Sequence, residues 1–210
     1  MRAHRPQRAE ETASRIIEVA EELFRRVGYA KTAVADIARE LGMSPANVYR
    51  FFPSKAAINE AIAEIFLEQI NARLDAVVSA TTPASERLER FVLEQHRFNK
   101  SQFVSERRMH DMVACAMEEN WPVVDAHIGA VQKMLADIVA DGVRRGEFRA
   151  EIDPHEAAKA ICSATTGVLH PALIAQFAHK DLESEARSLV RFLLAALVQP
   201  RNASIHRGIP

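Results

Sequence analysis

From Ile16 onward, apolar residues recur at three- and four-residue steps with polar residues filling the intervals, which is the spacing of amphipathic helices. Ile16, Ala20, Leu23, Phe24 and Val27 predict a first helix over 12–27, which Gly28 is placed to end. Val34, Ile37, Ala38 and Leu41 mark a short second helix that Thr32 is expected to cap, and Gly42 follows at once. Ser44-Pro45 then reads as an N-cap followed by a first-turn proline, so a third helix over 45–52 restarts within a few residues, with Val48 turned toward Ile37 and Leu41. Pro53-Ser54 repeats the punctuation before a long fourth helix over 55–79 carrying Ile58, Ile62, Ile65, Phe66, Ile70, Leu74 and Val77. Past the TTPAS linker, the same period predicts helices over 85–102, 105–119, 122–145, 154–178 and 182–197, with a kink at His170-Pro171. No internal repeat of solenoid length is present.

Composition agrees with an all-α chain. Its 210 residues are 48% apolar and 26% charged, enough for a real core, and seven glycines and nine prolines fall mostly between the helical segments. No apolar run approaches the roughly 20 residues that span a bilayer, and the first residues lack the apolar stretch of a signal peptide, so a cytoplasmic protein with no membrane partner is expected. In such a reducing compartment Cys115 and Cys162, both in Ala-rich helical patterns, read as small buried groups. Charge is uneven: residues 1–55 hold ten Lys and Arg against seven Asp and Glu, whereas the remainder is acidic. That asymmetry points to a polyanion at one end only. Arg2, Arg5 and Arg8, with Pro6 and no apolar period, read as a basic arm without structure of its own.

The segment 34–55 has the parts of a DNA-reading helix-turn-helix, in which the second helix lies in the major groove with its N-terminal residues at base edges. Ala38 allows close helix approach, Gly42 supplies a turn residue free to take positive φ, and Val48 holds the second helix while its other face stays free. On that face Asn47 suits adenine, Arg50 suits guanine, and Ala46 suits a thymine methyl; Pro45 opens the helix beside them. Ser44, Tyr49 and Thr32 offer hydroxyls to phosphates. Lys55 sits at a helix N-terminus, where a cation is unfavourable unless an anion joins it. The alternative, an ordinary helical corner, suits Phe51 and Phe52 but leaves Asn47, Tyr49 and Arg50 costly to bury.

Gly28-Tyr29, Thr32, Asp36-Ile37-Ala38, Gly42, Ser44, Tyr49, Phe52 and Lys55, in this order and spacing, make residues 12–62 resemble the DNA-binding domain of the TetR (tetracycline-repressor-like) family. The resemblance implies about nine helices and a homodimeric one-component repressor. Its N-terminal helix-turn-helix domains would bind a palindromic double-stranded DNA operator, and its C-terminal domain a small effector that releases it. Thr32, Ser44, Ala46, Asn47, Tyr49, Arg50 and Lys55 would be the DNA-contacting set. The expected division is 1–55 for arm and helix-turn-helix, 56–200 for effector binding and dimerisation, and 201–210 for a disordered tail.

The second half carries two sets of candidates. Ala157, Ala158, Ala160, Ser163, Ala164 and Gly167, with Leu189, Phe192, Leu193, Ala196 and Leu197, allow close packing of the last two helices, either within the chain or, as in the family, between subunits. Phe91, Phe98, Met109, Met112, Trp121 and Phe177 suggest an apolar pocket for a lipophilic effector. His96, His110, His127 and His170 each lie near the apolar face of a different predicted helix, which places imidazoles to ligate a divalent metal such as zinc or nickel if they converge, though none has close His-x3-His spacing. No cofactor is required by the motifs. A metal-dependent enzyme in the C-terminal bundle is the alternative function, but no activated nucleophile, phosphate loop or paired carboxylates accompany the histidines.

Overall fold

The computed structural model describes residues 4–103 and 121–198. Its helices are α1 (His4–Val27), α2 (Val34–Glu40), α3 (Pro45–Tyr49), α4 (Lys55–Val78), α5 (Ala84–Phe103), α6 (Pro122–Arg144), α7 (Pro154–Leu169), α8 (Pro171–Gln176) and α9 (Leu182–Leu197). The helix expected over 105–119 and the tail over 201–210 lie outside the described residues. The N-terminal expectation needs correcting, because α1 continues back through Arg8 and Arg5 to His4 and so takes in most of the basic arm.

Local chemistry accounts for the small N-terminal helices. Gly28 ends α1 at φ 104° and Gly42 turns the chain between α2 and α3 at φ 64°, conformations that cost other residues more. Ser44 caps α3 by accepting the Asn47 N–H, and Ser54 caps α4 by accepting the Ala57 N–H at 3.0 Å. Thr32 does not cap α2. Its hydroxyl donates to the Gly28 carbonyl at 2.8 Å in a buried turn, while Asp36 accepts the Ala33 N–H that opens α2. That backbone bond, with Arg39 beside it, holds the Asp36 carboxyl below its usual range.

Ile16, Phe24, Ile37, Val48, Ile58 and Ile62 are fully or almost fully buried and belong to one core that continues along α4 into the larger bundle. In that bundle α6 packs on α7 and α4, and α5 packs on α9 and α4. Gly142 of α6 lies so close to the Phe148 ring and to Ala84 that a β-carbon there would overlap them. Arg87 of α5, itself buried, pairs with Asp141 and donates to the Val78 carbonyl at 2.8 Å, which fixes the end of α4.

The helix expected over 154–178 is two helices. Pro171 lacks an N–H, and His170 takes extended backbone (φ −67°, ψ 124°), ending α7 and capping α8 through its own ring nitrogen, which accepts the Ala172 N–H. The break leaves the Val168 and Leu169 carbonyls without helical partners. Side chains of α5 take them: His96 Nδ1–H meets the Val168 oxygen at 2.7 Å, and the Asn99 amide donates to the Leu169 oxygen at 2.7 Å.

Candidate functional site

Two surfaces draw on the residues singled out by the sequence. The first is the outer face of the helix-turn-helix. Ser44, Pro45, Ala46, Tyr49 and Arg50 are exposed and Asn47 is half-buried, while Val48 is fully buried against the core. Tyr49 is 50% exposed, an unusual position for an aromatic ring with no outside partner. Arg50 forms no ion pair with any described residue, whereas Arg26 and Arg39 nearby are matched to Glu22, Glu40 and Asp36. Arg50 thus stands as an exposed cation just after α3, with Lys31 exposed on the cleft beside it.

Thr32 and Lys55 stand apart from that set. The Thr32 side chain is only 3% exposed and its hydroxyl is committed inward, so it offers no donor to a phosphate. The Lys55 ammonium donates to the Tyr29 carbonyl at 2.7 Å and the Thr32 carbonyl at 3.1 Å, and lies 4.2 Å from the centre of the Tyr29 ring. Two carbonyls and an aromatic face thus stabilise a cation at the start of α4 without any anion. The lysine ties the loop between α1 and α2 to α4. A cleft beside it is lined by Lys31, Tyr49, Pro53 and Ser54.

The second surface is a half-open cavity of about 470 Å³ among α4, α5, α6, α7 and the start of α8. Phe66, Leu67 and Ile70 of α4, Phe91 and Phe98 of α5, and Val131 and Leu135 of α6 give it apolar walls, and Trp121 sits at the start of α6. Of the six aromatic and methionine side chains expected here, Phe91, Phe98 and Trp121 are on the wall; Met109 and Met112 lie outside the described residues. Phe177 is not on the wall. The break at His170 takes it out of register with α7, and its ring instead meets His179 and the Lys180 ammonium.

The histidines divide as well. His127 and His170 line the cavity; His96 is fully buried and joined to Val168 rather than lining it; His110 lies outside the described residues. Burial lowers the pKa of His127 to about 4 and lowers that of His170. Among the described residues no three His, Cys, Asp or Glu side chains are grouped to hold a metal ion. Sequence reasoning missed the amides Asn59, Gln95 and Asn99, all on the cavity wall. The signal was present: Gln95 stands four residues after Phe91 and three before Phe98, a polar side chain within an apolar stripe.

Together, an exposed reading helix and a lined cavity joined by one long helix define a DNA-binding regulator with a small-molecule site. Residues 16–62 match the model for bacterial regulatory proteins of the tetR family, and residues 84–190 match the tetracyclin repressor-like C-terminal domain. The chain belongs to the TetR family of transcriptional regulators and is not an enzyme. It is 27% identical over 178 residues to the HTH-type transcriptional regulator TtgR of Pseudomonas putida, covering 77% of this chain and 80% of that protein. Among solved structures, the SmeT–triclosan complex superposes with a TM-score of 0.66 at 20% identity, over 91% of this chain and 93% of that one. FadR of Bacillus subtilis in complex with stearoyl-CoA gives 0.64 at 18% identity, over 88% and 98%. Among the described residues, no helix is long and apolar enough to cross a membrane.

Proposed function

We propose that this regulator is a homodimeric repressor whose hold on a palindromic operator is released when a small organic molecule enters the cavity. The observation that carries this reading is the continuity of α4. Its first residue, Lys55, anchors the loop carbonyls of Tyr29 and Thr32, and one turn later Asn59, then Ala63 and Phe66, form cavity wall. A molecule that displaces this wall moves the base of the reading head through a single rigid element. A ligand favouring one position of α4 would thereby change operator affinity by its difference in affinity for the two positions.

In this reading Ser44, Pro45, Ala46, Asn47, Tyr49 and Arg50 meet DNA, while Thr32 and Lys55 build the surface that presents them. The working division stays at 1–55 for DNA reading and 56–200 for effector and dimer. The dimer forms through α7 and α9: Ala160, Ser163, Ala164 and Gly167 are exposed small residues on α7, and Phe192 of α9 is 73% exposed. Triclosan and stearoyl-CoA bound to SmeT and FadR support an organic effector over zinc or nickel. The test is selection of binding sites from random DNA by the full chain. A palindrome bound by two chains is expected; selection of no sequence, or binding by one chain to a single half-site, would overturn the proposal.

A further inference from the structure

We infer that Lys31 anchors the protein on the backbone of duplex DNA: its ammonium and the Tyr49 hydroxyl, sharing one cleft, hold a single phosphodiester of the strand that α2 crosses. This rests on the reading of α3 as the helix that meets the bases. Lys31 is exposed and lines the cleft together with Tyr49, Pro53 and Ser54. Neighbouring cations are already engaged: Arg26 with Glu22 and Glu40, Arg39 with Asp36, and Lys55 with two carbonyls. Lys31 pairs with no carboxylate among the described residues, and the Tyr49 hydroxyl has no hydrogen-bond partner among them. An ammonium and a hydroxyl on one open cleft form a donor pair that phosphate oxygens can accept.

In a helix-turn-helix the first helix crosses the DNA backbone while the second enters the groove, and Lys31 stands two residues before Ala33, which opens α2. The loop that carries it is fixed on both sides. The Thr32 N–H donates to the Gly28 carbonyl at 3.2 Å, the Thr32 hydroxyl donates to the same carbonyl, and Lys55 holds the Tyr29 and Thr32 carbonyls from α4. Asp36 takes the Ala33 N–H, so a phosphate arriving there is met by side chains rather than by that backbone donor. Tyr49 ends α3 one residue before Arg50, so a phosphate gripped in the cleft sets how α3 lies in the groove. Lys55 then serves DNA binding by holding the loop of Lys31, not by touching a phosphate.

A phosphate contact is independent of sequence, so the probe is a fluorescent duplex of arbitrary sequence, titrated with the full chain and followed by anisotropy between about 50 and 200 mM salt. Lys31→Ala is expected to weaken binding about tenfold and to flatten the log–log salt dependence by about 0.9 for each bound chain, with Lys31→Arg restoring both. Its melting temperature should equal that of the native chain, since no described residue bonds to this side chain. Tyr49→Phe removes a hydroxyl and no charge, and is expected to weaken binding severalfold at the native slope. Lys133→Ala removes an exposed cation from α6 and is expected to match the native chain. Native affinity and slope in Lys31→Ala, native affinity in Tyr49→Phe, or an equal flattening by Lys133→Ala would overturn the anchor and leave the reading by α3 standing. Failure of the native chain to bind any duplex at about 50 mM salt would overturn the DNA reading together with it.

Discussion

His96 shows how a residue type misleads when its partner is a backbone group far along the chain. Its place on an apolar stripe was legible, but the carbonyl it serves is opened by Pro171, and nothing in the spacing around His96 marks that event. Replacing it with leucine strands a buried oxygen, so His96→Leu is expected to lower stability by about 1–3 kcal/mol in urea denaturation. His127 should govern an acid transition. Its folded pKa is about 4 against an ordinary 6.5, so below 6.5 the unfolded chain binds a proton that the native chain refuses. Stability therefore falls as pH drops from 6.5 toward 4, by up to about 3 kcal/mol from this group. Denaturant midpoints measured across that range should fall for the native chain and fall less for His127→Leu. Lys55 was legible as an anomaly but not in its cause, since the carbonyls of Tyr29 and Thr32 reach it only through the folded loop.

Elements were more legible than the atoms they position. Apolar period and Gly, Pro and Ser punctuation placed α2 through α5, α6 and α9 to within a few residues, because each carries a periodic apolar stripe between breakers; Ser44, Ser54 and Asp181 cap α3, α4 and α9 locally, whereas the start of α5 is bonded by the distant Glu147. The period fails at 154–178, where Leu169 and Leu173 keep helical spacing straight through His170 even though the backbone does not. Proline signalled a kink; the clean break depends on α5 side chains, His96 and Asn99, donating to the freed carbonyls. Close approach between elements is equally hidden from the period. Gly142 falls within the helix predicted over 122–145, where nothing in the spacing marks it, yet it lies against Phe148 and Ala84. Gly142→Ala, a gain in helix propensity on an open surface, is expected here to destabilise by about 1–3 kcal/mol through overpacking, measured as a lower melting temperature.

At the scale of the molecule, the reading head and the cavity share α4, and the described surface leaves a face unpaired at Phe192 and the small residues of α7. If that face joins two chains, Phe192→Glu buries a charge in the interface and yields monomers by size-exclusion chromatography with light scattering, and with them much weaker operator binding. The exposed face proposed to read DNA was visible in the sequence as a surplus, because Asn47, Tyr49 and Arg50 exceed what the hairpin needs for packing, and the structure leaves Tyr49 and Arg50 exposed. The cavity was legible only in half, through Phe91, Phe98 and Trp121; its polar character lies in the amides of Asn59, Gln95 and Asn99, whose place on the wall depends on tertiary contact. The account turns on α3 reading bases. The direct test is the affinity of Arg50→Ala for the selected palindrome and for unrelated DNA at one salt concentration. Loss of about 1–3 kcal/mol on the palindrome, well beyond any loss on unrelated DNA, is the result expected. Equal affinities of the variant and the native chain for the palindrome would contradict it.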